Sequence, residues 1–172
     1  VERYDLVCYY SVALEDADEN LFQLFVAKHT TENIKKLNHI MAWLDKIGNE
    51  VGAKHYYFRP ESSGAETCAL PPPGKNREPV YVEYDENPEK ELISSNPLRL
   101  YCFRANEHVV FLFNGDLKTA NSAQDCPNVR PHFQQANALS KCLGKHFGDK
   151  IVWNEDYTDI VFEEEMKLEC NL

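Results

Sequence analysis

The sequence predicts an α+β fold, with a small antiparallel sheet and helices packed on one face. Runs rich in β-branched and aromatic residues occupy 4–14 and 98–113, which is the composition of strands. Apolar residues at helical spacing occupy 31–47 and 128–147. The chain has 172 residues, of which 43% are hydrophobic, and this is enough for one domain with a buried core.

The N-terminal third is predicted to contain a strand and a helix. Residues 4–14 form the strand, and the apolar run at 21–30 fits either a second strand or a short helix. Residues 31–47 form the helix, because five apolar residues recur at spacings of three and four, and Gly48 can end it. These residues are Ile34, Leu37, Met41, Leu44 and Ile47.

A proline-rich segment, 62–97, is predicted to be an irregular insertion, since it is too short and too polar to bury its own core. Within it, the alternation of 79–86 favours one edge strand. After the second helix, which has Pro131 in its first turn, residues 151–162 are predicted to form one or two final strands. Residues 163–172 are predicted to be a partly disordered tail.

Residues 98–104 and 108–113 are predicted to pair as a β-hairpin, which Asn114-Gly115 ends. Because side chains alternate along a strand, Leu98, Leu100 and Cys102 share one face. The other face carries Arg99, Tyr101 and Phe103 and is expected to be open.

Charge is distributed unevenly along a chain whose net charge is -10. Residues 28–60 hold six Lys and Arg against three Asp and Glu, and residues 95–150 hold seven against four. The three remaining segments are acidic. A local basic face can therefore attract RNA, while the acidic remainder weakens non-specific binding.

The six cysteines lack any Cys-x-x-Cys spacing, so neither a metal site nor a redox motif is predicted. We expect reduced thiols in a cytoplasmic protein, with a disulfide framework as the alternative. The chain begins at Val1 without a methionine, which leaves open a missing residue or cleaved segment before it, although nothing visible resembles a signal peptide. Because no apolar run approaches the roughly 20 residues of a membrane span, no membrane partner is expected.

The candidate site residues are the cations and rings near the hairpin. Arg99, Arg104 and Lys118 could pair with RNA phosphates, while Tyr101 and Phe103 could stack bases. Upstream, His55 could transfer protons beside the cation Arg59. The alternative is that all these groups solvate the surface of a sheet and a turn.

Four motifs resemble the RelE/HigB-like toxin superfamily, and within it a phage-linked branch from Bacteroides-type bacteria. They are GAKHYYFRPE (52–61), LRLYCFRANEHVVFLFNG (98–115), DLKT (116–119) and QDCPNV (124–129). The resemblance implies a RelE-like fold and metal-free cleavage of messenger RNA, often on the ribosome, without a cofactor. A ribose 2′-hydroxyl would attack the adjacent phosphorus, and an antitoxin protein would neutralise the enzyme.

The resemblance also implies residue roles. Arg99 would stabilise the phosphate charge, Arg104 and Lys118 would hold the backbone or transfer protons, and Arg59 matches a basic residue ahead of the sheet. Tyr157 is the nearest match to a final-strand Tyr or His.

This chain departs from the family pattern because it is larger and acidic. The alternative is therefore a non-catalytic RelE-fold protein that binds a protein partner. A third option, an extracellular or periplasmic module, would be favoured by paired cysteines.

Overall fold

A computed structural model describes residues 1–61, 66–74, 77–83, 95–161 and 166–171. Its main sheet has six strands in the order β1-β2-β6-β5-β4-β3, and β2 and β6 pair in parallel while the other neighbours are antiparallel. A separate hairpin joins β7 to β8. The mixed α+β class and the mostly antiparallel sheet are confirmed. The strands are Glu2–Arg3 (β1), Cys8–Ser11 (β2), Arg59–Pro60 (β3), Thr67–Leu70 (β4), Leu98–Arg104 (β5), Val109–Leu117 (β6), Val152–Trp153 (β7) and Ile160–Val161 (β8).

Within the described residues, three α-helices accompany the sheet: α1 (Leu21–Glu32), α2 (Ile34–Lys46) and α3 (Arg130–His146). The ambiguous run at 21–30 is helical, because Asn20 and Gln23 form a capping box at its start. The two helices predicted from apolar spacing are confirmed as α2 and α3.

The helices cover both faces of the sheet, so the expectation of one covered face is wrong. Leu98, Leu100 and Cys102 belong to a core that includes Leu37 and Trp43 of α2. The alternate residues of β5 pack on the opposite side, against α3. A central strand with large apolar side chains on both faces needs a layer on each side to bury them.

The proline-rich segment supplies a strand that the sequence did not predict. Thr67–Leu70 forms β4 between β5 and β3, so the expectation of an irregular segment is wrong for these residues. The strand expected at 79–86 is absent from its described part, 79–83, apart from an isolated bridge at Glu83. Residues 62–65, 75–76 and 84–94 lie outside the described residues.

Strand β6 continues to Leu117, so the predicted break at Asn114-Gly115 is wrong. The register shifts between Leu100 and Cys102, which marks a bulge in the β5–β6 ladder. At Gly115 an added Cβ would lie 2.8 Å from the carbonyl carbon of Arg99 and closer still to its oxygen. Glycine is therefore required because the backbone of β5 approaches closely, not because of a positive φ.

The C-terminal tail is attached to α3 by a Cys142–Cys170 disulfide, so the expectation of reduced thiols is wrong for this pair. Met166 and Leu168 pack against the core on the α3 side. The described part of the tail, 166–171, is thus tied to the domain, whereas 163–165 and 172 lie outside the described residues. The other four cysteines are free within the described chain.

Candidate functional site

The sheet register places two predicted cations and a tyrosine on one face. Arg59 of β3 pairs with Ala69 of β4, which pairs in turn with Tyr101 of β5. Arg99 lies two residues before Tyr101 on the same strand, so its side chain emerges on the same face. The three side chains lie near the start of β5. They are on the side of the sheet that α3 covers, where the ring centroids of Tyr101 and Phe133 are 5.7 Å apart.

Two more residues belong to this group: Lys118, which directly follows β6, and Glu61, which directly follows β3. The backbone N–H of Lys118 donates to the Pro97 carbonyl oxygen over 2.9 Å, which fixes the chain beyond β6 next to the start of β5. Its Nζ lies 3.9 Å from Oε2 of Glu61, whose side chain is 2% exposed. We call these five residues the cation cluster: Arg59, Glu61, Arg99, Tyr101 and Lys118.

Four buried polar atoms of the cation cluster have no hydrogen-bond partner among the described residues. They are Arg59 Nε, Glu61 Oε1, Arg99 Nε and Tyr101 Oη. Folding normally partners buried polar atoms, and each one left alone costs about 1–3 kcal/mol. The cluster combines three cations with one carboxylate, and its unpartnered atoms comprise three donors and one acceptor.

Arg99 is the most deeply buried of the three cations, with 7% of its surface exposed. Its Nη1 donates to the carbonyl oxygens of Asn96 and Leu98, at 2.6 and 3.0 Å. Burial, and then repulsion from Arg59, lowers the pKa of Arg99 to about 10. Arg99 therefore remains charged at neutral pH.

Burial and the Glu61 carboxylate also shift the pKa values of Arg59 and Tyr101. Burial lowers the pKa of Arg59, and Glu61 opposes that change. Burial, and then the Glu61 carboxylate, raises the pKa of the Tyr101 phenol. Tyr101 is therefore a neutral donor at physiological pH. A ligand with several negative oxygens, such as a phosphate, is the chemistry that matches a net positive group of donors.

The cluster reaches solvent through Arg59, which is half-buried, and Lys118, whose side chain is 16% exposed. Arg59 also lines a small cleft together with Arg77, Tyr81, Asn96 and two residues of α2, His39 and Trp43. Arg77 lies over the Tyr57 ring, 5.5 Å from its centroid. A cation–π contact thus borders the cleft.

Three predicted site residues lie elsewhere. Nε of Arg104 donates to the Ala53 carbonyl oxygen at the other end of β5. Phe103 packs against Phe111 and Phe147. His55 is exposed in the short 3-10 turn His55–Tyr57.

The expectation of an open, base-stacking face is wrong, because α3 covers it. Tyr101 and Phe103 are 0% and 7% exposed. Tyr157, which the resemblance proposed as a final-strand residue, is exposed on the β7–β8 turn, where its carbonyl oxygen accepts a hydrogen bond from Asn106.

Glu61 is the site residue that the sequence analysis missed. It follows Arg59 by two residues, so an extended chain places both side chains on one face. That alternation within FRPE is the signal that could have identified it. It was overlooked because a single acid in a turn-like, proline-containing stretch usually faces solvent.

Within the described residues, no group of three or more His, Cys, Asp or Glu could hold a metal ion. No helix in the same ranges combines the length and the apolar character needed to cross a bilayer. Comparison with family models, curated proteins and solved structures gives no significant match for this chain. Fold and site together define a mixed-sheet α+β protein with a half-enclosed cationic site.

Proposed function

We propose that this chain is a toxin-like endoribonuclease that cleaves RNA without a metal, using the cation cluster. The observation that supports the proposal is the convergence of Arg59, Arg99 and Lys118 around one buried carboxylate. Metal-free cleavage needs a base, an acid and positive charge near the phosphate, and the cluster contains a candidate for each. Its action on messenger RNA, free or on the ribosome, and its neutralisation by an antitoxin protein belong to the same proposal.

The residues would share the reaction as follows. Glu61 Oε1 takes the proton from a ribose 2′-hydroxyl as the 2′-oxygen bonds to phosphorus. The P–O5′ bond breaks, and the 5′-oxygen takes a proton from the Lys118 ammonium. The products are a 2′,3′-cyclic phosphate and a 5′-hydroxyl. Arg59 at the opening would contact the phosphate, and the charge of Arg99 beneath it would stabilise the transition state without direct contact.

The proposal is tested with purified protein, single-stranded RNA of mixed sequence, and a chelator in the buffer. We expect Glu61→Gln to lower cleavage by about 10²–10⁴-fold, because it removes the base while preserving the shape of the side chain. Glu107→Gln is the matched control: its carboxylate also lies 3.9 Å from a cation, Arg104, but outside the cluster. Equal cleavage by the wild type and by Glu61→Gln would refute the role of Glu61.

A second candidate is a non-catalytic protein of this fold that binds a protein partner. The burial of Arg99, Tyr101 and the proposed base Glu61 favours it, because RNA on the surface reaches none of these side chains directly. The ribonuclease would act in the cytoplasm, whereas the Cys142–Cys170 disulfide is typical of oxidising compartments and so favours the third option, an extracellular or periplasmic module.

Inducing the chain in a bacterial host separates the two candidates. Growth arrest by the wild type, lost in Glu61→Gln at matched soluble expression, supports the ribonuclease. Normal growth with soluble wild-type protein, together with intact RNA in the purified assay, supports the partner-binding protein.

A further inference from the structure

Two free cysteines face each other across neighbouring strands of the main sheet. Cys68 of β4 and Cys102 of β5 are direct partners in the antiparallel register. Their Sγ atoms lie 3.3 Å apart, and both are thiols. Directly opposed residues of antiparallel strands have Cα atoms about 4.5–5.5 Å apart, within the range that a disulfide spans.

The two thiols differ in access. Cys68 is partly exposed, whereas Cys102 is 0% exposed and packs in the core on the α2 side. Burial raises the pKa of the Cys102 thiol well above its usual range. An oxidant therefore meets Cys68 first, and Cys102 is held in place to react with the product.

We infer that Cys68 and Cys102 form a reversible disulfide that joins β4 to β5 under oxidising conditions. With hydrogen peroxide as the oxidant, the Cys68 thiolate attacks one peroxide oxygen and becomes a sulfenic acid, releasing hydroxide. The Cys102 sulfur then displaces the sulfenic hydroxyl group, and with the Cys102 proton this group leaves as water. Overall, two thiols and one peroxide give one disulfide and two waters.

The new bond would lie one row along the sheet from the candidate site, on the opposite face. Cys68 and Cys102 occupy the row of the sheet next to the one that joins Arg59, Ala69 and Tyr101. The sulfurs need to approach by little more than 1 Å to reach a bond length of about 2.05 Å. Oxidation would thus fix the spacing between β5, which carries Arg99 and Tyr101, and β4, which joins β5 to the strand of Arg59. This inference does not depend on the proposed ribonuclease activity.

Peptide mapping tests the inference directly. The protein is treated with peroxide, remaining thiols are alkylated, and the sample is digested with trypsin without reduction. Cleavage after Lys54 and Lys75 and after Arg99 and Arg104 isolates the two cysteines on separate peptides, 55–75 and 100–104. We expect these peptides to appear joined, two hydrogen masses below their sum, and to separate on reduction.

Thermal melting gives a second measurement. The bond would close a loop with a sequence separation of 34 residues, which predicts a rise in Tm of about 5–15 °C on oxidation. Cys68→Ser should abolish the rise, and Cys126→Ser, which removes a buried thiol elsewhere, should keep it. Alkylation of both cysteines after peroxide treatment, or pairing of either with Cys8 or Cys126, would overturn the inference.

Discussion

Gly115→Ala is the substitution for which the structure makes the sharpest prediction. The added Cβ would lie 2.8 Å from the Arg99 carbonyl carbon and 3.2 Å from the Cα of Leu100, and real Cβ atoms essentially never lie within 3.0 Å of a neighbour. The obstructing atoms are backbone, so no side-chain rotation relieves the contact. Strands β5 and β6 must separate locally.

The added methyl group lowers the free energy of unfolding in two ways: it overpacks a buried position, and it lengthens hydrogen bonds between β5 and β6. Overpacking a buried position costs about 1–3 kcal/mol, and ladder hydrogen bonds that lengthen cost about 1 kcal/mol each. We therefore expect Gly115→Ala to lower the free energy of unfolding by about 3–5 kcal/mol. Because the obstruction falls on Arg99, the same change displaces one side of the cation cluster.

Gly144→Ala is the matched control, since it adds the same methyl group to another glycine. There the new Cβ would lie 2.9 Å from Oε2 of Glu66, the far end of an exposed side chain that can rotate away. Alanine also favours a helix interior by about 0.8–1 kcal/mol over glycine. We expect this variant to be neutral or slightly more stable.

Urea unfolding, followed by tryptophan fluorescence, measures both variants. With a slope of about 1–3 kcal/mol per molar, a loss of about 3–5 kcal/mol lowers the midpoint by at least about 1 M. A midpoint for Gly115→Ala within about 0.2 M of the wild type would refute the close approach of β5 to β6. A large loss for Gly144→Ala would show that any added methyl group destabilises this chain.

Three further outcomes are expected. Tyr101→Phe should raise the free energy of unfolding by about 1 kcal/mol in urea, because it removes a buried hydroxyl without a partner; a loss of stability would reveal a partner for that hydroxyl. Burial lowers the pKa of His29 and His39, so the unfolded chain binds more protons; stability should be full above about pH 6.5 and fall toward pH 5, and a flat urea midpoint would contradict this. Cys142→Ser should release the tail and lower Tm by several degrees, whereas an unchanged Tm would show that the bond adds no stability.

Strong local periodicity explains what the sequence predicted correctly. The apolar spacing of 31–47 and 128–147 identified α2 and α3, and the alternation of 98–113 identified the β5–β6 pair. These patterns depend only on neighbours within one or two turns, so they survive in the folded chain.

The errors arose where burial depends on distant residues. Arg99 was expected to be exposed because arginine usually is, yet it is 7% exposed and donates to the carbonyl oxygens of Asn96 and Leu98. Strand β4 has only four residues, and its position in the sheet depends on pairing with β5, about 30 residues along the chain. The meeting of Glu61 with Lys118 likewise depends on topology.

Buried polar atoms on the α3 side are hydrogen-bonded in one place and unpartnered in the cation cluster, and this difference supports the cluster as the functional site. Thr67 Oγ1 and Ser140 Oγ, both buried, satisfy each other across 2.9 Å between β4 and α3. Folding alone therefore partners polar atoms on this face. Four unpartnered atoms within one cluster are unusual, because each costs about 1–3 kcal/mol when it has no partner. An anion that enters the cluster would partner the three donors, whereas Glu61 Oε1 needs a donor such as the ribose 2′-hydroxyl of the proposed substrate.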